Sequence, residues 1–163
     1  MTAPVAPAEL VWSVKTAFAA YVQGMADGRV EVSGGVVAAS DGTFVFPSET
    51  VSSSRWQFAG SVEFTGHSGL LSLAISRPAI EWRHDRLLLT IDDEEEGRLD
   101  FATLAEPLAD PAGWIVEEVL LTHDGADLFF GSYRRGTEFD RLTVRGDPPR
   151  LRFGDAAESV AKP

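Results

Sequence analysis

The hydrophobic pattern changes its period at Gly28, and this change limits the fold more than any other feature of the sequence. Before Gly28, apolar side chains recur at helical spacing: they are Val14, Phe18, Tyr21, Val22 and Met25. After Gly28, apolar and polar residues alternate in short runs separated by turn-forming pairs such as Gly34-Gly35 and Asp41-Gly42. The pattern predicts a mainly β fold of many short antiparallel strands, arranged as a sandwich or a barrel.

One long N-terminal helix is predicted over residues 8–26, with Pro7 directly before it. At about 100° per residue, one stripe of this helix collects Val14, Ala17, Tyr21 and Met25. Tyr21 is therefore expected to point into the protein, and Ala17 to leave space one turn before it. Tyr21 is then either a core tyrosine with a hydrogen-bonded hydroxyl or a phenol that faces a cavity.

The later segments predicted as strands are residues 29–33, 36–39, 43–46, 56–58, 61–65, 70–75, 79–82, 86–91, 98–104, 114–121 and 142–144. Residues 105–113 are predicted as a loop, and residues 127–140 as either a loop or one short helix. The length is typical of one domain, which we place at residues 8–154, with loose tails at 1–7 and 155–163.

The composition excludes several classes of site and partner. The 163 residues include no cysteine, which excludes disulfides, zinc-thiolate and iron–sulfur sites and a thiol nucleophile. The formal net charge of -11 argues against nucleic acid as a partner. No apolar run reaches the roughly 20 residues that span a bilayer, so no membrane insertion is expected. The first residues lack the features of a signal peptide, and the sequence as written predicts a cytoplasmic location.

The segment from Gly66 to Gly69 holds a histidine and a serine between two glycines. It is close to the nucleophile-elbow pattern G-x-S-x-G, which would make Ser68 the nucleophile of a hydrolase. The pattern fails at Leu70, where it requires glycine. Apolar residues take even positions before this segment and odd positions after it, which predicts a turn or a bulge. His67 is then either a turn histidine or part of a binding site.

The remaining titratable residues do not form a recognisable catalytic or metal motif. The acidic run at residues 92–96 lacks the spacing of a calcium loop and predicts a solvated turn. His84 and His123 stand beside aspartates near turns and are expected on the surface. The sequence holds no H-E-x-x-H, P-loop or Rossmann pattern.

Three segments together resemble the HtaA domain, a haem-binding module of actinobacterial cell-envelope haem-uptake proteins. The first has the form W-x-V-K-x-x-F-x-x-Y and ends at Tyr21. The second covers residues 58–75 and includes the G-H-S-G turn, and the third is F-G-S-Y-R-R-G-T at residues 130–137. The resemblance extends over residues 10–144 and depends on the combination of the three segments.

The resemblance implies a β-rich domain with few helices that binds ferric haem b. In the family, the tyrosine of the opening helix is the axial ligand of the iron, and the matching residue is Tyr21. The histidine of the G-H turn hydrogen-bonds the tyrosine oxygen, and the matching residue is His67. The late aromatic segment, with Phe130 and Tyr133, is expected to wall the pocket. Candidate cations for the haem propionates are Lys15, Arg134 and Arg135.

A tyrosinate ligand suits the capture and transfer of haem better than catalysis. Its hard anionic oxygen favours ferric iron and lowers the reduction potential. The resemblance therefore implies a binding protein and not an enzyme, with haem and other haem-transfer proteins as partners; a homodimer is left open. The family works outside the cell, so a cell-envelope or secreted location is expected if an export signal has been removed.

Two positions depart from the family pattern. One turn before the ligand tyrosine the family often has a serine that hydrogen-bonds haem, and Ala17 stands here. Before the late tyrosine the family usually has an aromatic residue that stacks on the porphyrin, and Ser132 stands here. These departures leave open a module of the same fold that binds another apolar ligand or none, or a purely structural or partner-binding sandwich.

Overall fold

The computed structural model describes residues 8–52, 54–94, 97–111 and 113–145. The strands are β1 (Glu9–Trp12), β2 (Arg29–Ser33), β3 (Val37–Ala38), β4 (Phe44–Val51), β5 (Arg55–Phe58), β6 (Ser61–Gly66), β7 (Leu71–Ser76), β8 (Ala79–Arg83), β9 (Arg86–Asp93), β10 (Gly97–Leu104), β11 (Leu108–Asp110), β12 (Gly113–Val116), β13 (Val119–Leu121), β14 (Glu138–Phe139) and β15 (Leu142–Arg145). The helices are α1 (Thr16–Gln23) and α2 (His123–Asp127). Within the described ranges, neither helix has the length and apolar character that crossing a membrane requires.

The strands form two antiparallel sheets, which confirms the mainly β prediction. The larger sheet has 12 strands in the order β11-β12-β15-β1-β4-β5-β8-β9-β10-β13-β14, with β3 beside β4. The smaller sheet has the order β2-β6-β7. The large sheet does not close into a barrel.

The large sheet curls around an aromatic core. Trp12 on β1 and Phe101 on β10 meet edge to face, with ring centroids 5.9 Å apart. In the sheet order these strands are five steps apart, which would be about 24 Å in a flat sheet at ~4.8 Å per strand. The sheet must therefore bend strongly, and register shifts at residues 48–50 of β4 and 100–102 of β10 are points where it can do so.

The prediction of one long helix over residues 8–26 is wrong in its first half. Leu10, Trp12 and Val14 alternate with polar or half-buried residues and are themselves fully buried. They belong to β1 and its extension, and β1 pairs with β4 on one side and β15 on the other. Val14 has a φ of 64°, a left-handed conformation that a helix does not continue through. The helix that remains, α1, has eight residues.

The other predicted strands are found, with differences in three segments. Residues 114–121 form two strands, because exposed Glu117 and Glu118 separate β12, which pairs with β15, from β13, which pairs with β10. The predicted loop at residues 105–113 contains β11. Residues 127–140, predicted as a loop or one short helix, contain turns and the strand β14, and the short helix α2 begins earlier, at His123. The tails at 1–7 and 155–163 lie outside the described residues.

Asp140, just before β15, fixes the start of α1. The N-cap residue of α1 has no capping side-chain bond of its own. Instead, the Asp140 carboxylate accepts hydrogen bonds from the Thr16 amide at 2.8 Å and the Ser13 hydroxyl at 2.6 Å. The Asp140 carbonyl accepts a bond from Trp12 Nε1 at 2.8 Å. These contacts set the position of α1 and hence of Tyr21, which α1 carries.

Asp140→Asn is expected to destabilise the domain by about 1 kcal/mol. Burial acts to raise the pKa of Asp140, but hydrogen bonds from Ser13 and Thr16 outweigh it and hold that pKa below 3.8. The carboxylate therefore stabilises the fold fully above about pH 4, and this contribution is lost as the pH falls through the folded-state pKa. Urea unfolding of both proteins at several pH values checks this. The difference between their free energies of unfolding should shrink in acid. A difference independent of pH would contradict the role given to the Asp140 carboxylate.

Candidate functional site

The helix α1 packs on the core through Phe18 and Val22. Both side chains are buried, and they lie one turn apart on the same face of the helix. Phe18 makes edge-to-face contacts with Phe64 and Phe129, at centroid distances of 5.1 and 5.2 Å. These contacts fix the buried face of α1 and therefore the directions of its other side chains.

Tyr21 therefore does not point into the protein, and that prediction is wrong. Its side chain is 56% exposed, and Ala17, one turn before it, is exposed as well. The predicted stripe began at Val14, which lies outside the helix. Because Phe18 and Val22 occupy the buried face, Tyr21 lies at the protein surface, beside the aromatic core.

The turn between β6 and β7 carries His67. The predicted break in alternation is confirmed: residues 67–69 form a single 3-10 turn, and Gly66 pairs with Leu71 across it. His67, Ser68 and Gly69 have φ angles of 51°, 55° and 92°. A left-handed φ of this kind is unfavourable for residues with a Cβ and free for glycine. Such strain is often found at functional sites.

The structure brings Tyr21 and His67 together. The phenol oxygen of Tyr21 lies 2.8 Å from Nε2 of His67, although the two residues are 46 positions apart in the sequence. Depending on the histidine tautomer, the imidazole donates to the phenol oxygen or accepts its proton. This contact places a phenol oxygen, which can act as a metal ligand, beside an imidazole at the protein surface.

Asp27 holds the turn that carries His67, and the sequence patterns gave no signal for it. Its carboxylate accepts a hydrogen bond from the Ser68 amide at 2.6 Å. This bond lowers the pKa of Asp27 below its usual 3.8. Asp27 lies in the connection between α1 and β2. This connection passes close to the end of the helix, because a Cβ on Gly28 would lie 1.7 Å from the Val22 carbonyl oxygen. Asp27 thus links the segment after Tyr21 to the turn of His67.

Asp27→Ala is expected to free the turn and speed hydrogen exchange of the Ser68 amide. The matched control is Asp41→Ala, because Asp41 is also an exposed aspartate that accepts a backbone bond, from Thr43 at 3.0 Å. The control should speed exchange at Thr43 and leave Ser68 unchanged. In the wild type, the bond to Ser68 should weaken as the pH falls below 3.8 and Asp27 gains its proton. NMR exchange measurements check this, and equal exchange at Ser68 in both variants would contradict it.

Tyr21 and His67 stand at the edge of an apolar cavity of about 390 Å³. The cavity is lined by Phe18, Tyr21, His67, Leu70, Leu71, Phe129, Phe130 and Ser132. Leu70 and Phe130 are 83% and 72% exposed, and Phe130 has a left-handed φ of 53°. Large apolar side chains that are exposed to solvent beside a cavity are typical of a site for an apolar ligand.

The comparisons with known proteins agree with this architecture. The sequence model of the HtaA family matches residues 7–145, most of the chain. The chain belongs to the HtaA family. The sequence resemblance noted above is thereby confirmed. No curated protein sequence matches the chain.

Solved HtaA-type domains have the same fold. The C-terminal domain of HtaA from Corynebacterium glutamicum matches with a TM-score of 0.70 and 24% identity, over 87% of this chain and 96% of that one. The haem-binding protein HtaB from the same organism matches with a TM-score of 0.68 and 19% identity, over 88% and 96%. The N-terminal domain of that HtaA matches with a TM-score of 0.68 and 18% identity, over 90% and 99%.

Three of the residues predicted for the haem site line this cavity: Tyr21, His67 and Phe130. Tyr133 stands behind it, half-buried, with its ring 5.1 Å from Phe129 and 5.4 Å from Phe139. Burial raises the pKa of the Tyr133 phenol. Tyr133 therefore supports the aromatic wall of this HtaA domain without lining it.

The other predicted contacts lie outside the cavity lining. Ala17 and Arg134 are exposed and do not line it. Lys15 donates to the Glu138 carbonyl at 3.0 Å, and Arg135 lines a separate cavity. Ser132, one of the two departures from the family pattern, does line the site.

A hydrolytic role for Ser68 finds no support in the geometry. His67, the adjacent base, bonds Tyr21 through Nε2. Among the described residues, no hydrogen bond from the Ser68 hydroxyl to a base is found; the bond that Ser68 makes is from its amide to Asp27. Of the acidic run, Asp92 pairs with Arg77 and Arg98, while Glu95 and Glu96 lie outside the described residues.

Proposed function

We propose that this HtaA domain binds ferric haem and that Tyr21 provides the axial ligand. The observation that carries the proposal is the phenol oxygen of Tyr21, exposed at an apolar cavity and 2.8 Å from His67 Nε2. The haem-binding description of the related HtaB structure supports the same conclusion.

The residues present fit the group. Bound haem supplies a ferric iron that accepts an anionic oxygen ligand. Tyr21 provides that oxygen once its phenol has lost its proton. His67 is close enough to accept this proton, or to donate a hydrogen bond to the phenolate. The exposed side chains of Leu70 and Phe130 would cover part of the apolar macrocycle and remove it from water.

The open form of the site favours capture and transfer over turnover. Tyr21 is 56% exposed and Leu70 is 83% exposed, so a partner protein can approach the bound ligand from solvent. A ferric tyrosinate centre has a low reduction potential and little tendency to bind O₂. We therefore propose a binding role without catalysis, with other haem-transfer proteins as partners.

Titration of the wild type with haemin, followed by visible absorption, tests the proposal. Saturable 1:1 binding with a high-spin ferric tyrosinate spectrum is the expected result. Uptake no greater than that of an unrelated acidic protein would overturn it.

A second candidate is a module of the same fold that binds another flat apolar ligand. Ser132 favours this candidate, because it lines the cavity where an aromatic residue stacking on porphyrin is expected. The two candidates differ in their need for the phenol oxygen. Haemin binding that survives removal of the Tyr21 oxygen would favour the second.

A further inference from the structure

A second and larger cavity lies away from Tyr21. It has a volume of about 510 Å³, within the usual range for small-molecule sites, and it shares no lining residue with the Tyr21 cavity. The tip of the β8–β9 hairpin, strand β10, the junction of β13 with α2, and the turn at residues 134–137 form its walls.

The lining is basic, although the whole chain has a formal net charge of -11. The lining holds three arginines, Arg83, Arg86 and Arg135, against two aspartates, and His84 and His123 lie among them. Each aspartate is close to a basic neighbour. Asp100 accepts a bond from Arg83 at 2.6 Å, and Asp124 lies 3.6 Å from the ring of His123.

Arg86 and Arg135 carry charge that the protein does not neutralise. Neither forms an ion pair with any residue in the described ranges. By contrast, Arg77 and Arg98 are each held by carboxylates. Two guanidinium groups without an ion-pair partner on the wall of one cavity attract an anion.

The backbone that presents these arginines is fixed. The turn of Arg135 is tied to β13 by two bonds: the Gly136 amide donates to the Leu121 carbonyl at 2.8 Å, and the Leu121 amide donates to the Thr137 carbonyl at 2.9 Å. Arg86 pairs with Arg83 across the hairpin. With the backbone fixed in this way, it is the side chains that remain to be ordered when a ligand binds.

The hairpin tip has an unusual sequence for its conformation. His84 and Asp85, between β8 and β9, both have a left-handed φ, of 53° and 62°. Two-residue turns of this kind prefer Asn-Gly or similar pairs. His84 thus combines an unfavourable φ with a place on the wall of the cavity, and such strain is often found at functional sites.

We propose that this cavity binds a phosphate ester of a small organic molecule. The planar fork of a guanidinium matches phosphate oxygens in charge and geometry. The cavity is larger than a phosphate group alone, and Leu88, Thr103 and Leu120 provide walls for an uncharged remainder. A metal ion fits less well: His123, Asp124 and Asp127 offer ligand atoms within 4.8 Å of one another, but all three are exposed and the arginines repel a cation.

The test is an NMR titration with glycerol 3-phosphate, with inorganic phosphate and glycerol as matched probes. The amides of Leu121 and Gly136 report on the cavity. Arg86→Gln and Arg135→Gln each remove one guanidinium. Arg29→Gln, at an exposed position on β2, removes the same charge elsewhere. Thermal unfolding of each variant checks that it is folded, which is expected because all three side chains are on exposed residues.

Saturable shifts at Leu121 and Gly136 are expected with glycerol 3-phosphate. The dissociation constant should rise about tenfold or more in Arg86→Gln and in Arg135→Gln, and stay unchanged in Arg29→Gln. Equal weakening in all three variants, or no saturation at these amides, would overturn the site. If glycerol alone binds equally well, the role of the phosphate group is overturned. If inorganic phosphate binds as tightly as the ester, the role of the organic part is overturned.

Discussion

Replacing Tyr21 with phenylalanine is expected to lower the affinity for haemin by more than about a hundredfold. Phenylalanine keeps the ring on the same face of α1 and removes only the oxygen that we propose as the iron ligand. Changes to groups that merely hydrogen-bond a metal ligand already cost about 10–100-fold, so loss of the ligand itself should cost more. Visible absorption titration gives both the affinity and the spectrum, and the tyrosinate signature should be lost.

The matched control is Tyr133→Phe, the same change at the chain's one other tyrosine. Tyr133 packs on Phe129 and Phe139 and does not line the cavity, so its oxygen should not matter for haemin. Wild-type affinity is expected in this variant. If Tyr21→Phe also keeps wild-type affinity, the apolar walls alone hold the ligand and the axial role of Tyr21 is contradicted.

The residue pattern predicted the β fold but not the extent of the first helix. Leu10, Trp12 and Val14 fit a strand, whereas Val14, Phe18 and Val22 fit a helix, so the two periods overlap at Val14. What decides is the pairing of β1 with β15, for example Glu9 opposite Arg145. A contact between the two ends of the described chain leaves no mark in a local window of sequence. Val14, with a φ of 64°, ends the strand region, and its carbonyl accepts a hydrogen bond from the Asp140 amide at 3.0 Å.

The geometry of the candidate site could not be predicted from the sequence. The family resemblance points to Tyr21 and His67, and the structure places the phenol oxygen and Nε2 2.8 Å apart. The exposure of Tyr21 was missed because the helix was given the wrong buried face: Phe18 and Val22 face the core. Asp27 was missed because a single aspartate in a polar connection has no pattern of its own.

Phe18→Ala is expected to destabilise the domain by about 3–5 kcal/mol, and thereby to lower its unfolding temperature by about 6–20 °C. Phe18 is 4% exposed, and its ring contacts Phe64 and Phe129. Alanine would leave a cavity between α1 and the core, because Phe64 and Phe129 also pack against other aromatic rings and cannot move in to fill it. Calorimetry or urea unfolding measures the loss. A loss below about 1 kcal/mol would mean that α1 is anchored elsewhere, with Asp140 the first alternative.

Phe130→Ala is the matched control, since it deletes the same side chain from another wall of the Tyr21 cavity. Phe130 is 72% exposed, so its removal should change the stability by no more than about 0.5 kcal/mol. The substitution should nevertheless weaken haemin binding by about tenfold, because Phe130 would no longer shield part of the apolar surface of haem from water. A side chain that contributes little to folding and much to binding belongs to the ligand surface, whereas Phe18 serves both. Unchanged haemin affinity in Phe130→Ala would show that Phe130 is not part of the haem site, whatever the result for Tyr21→Phe.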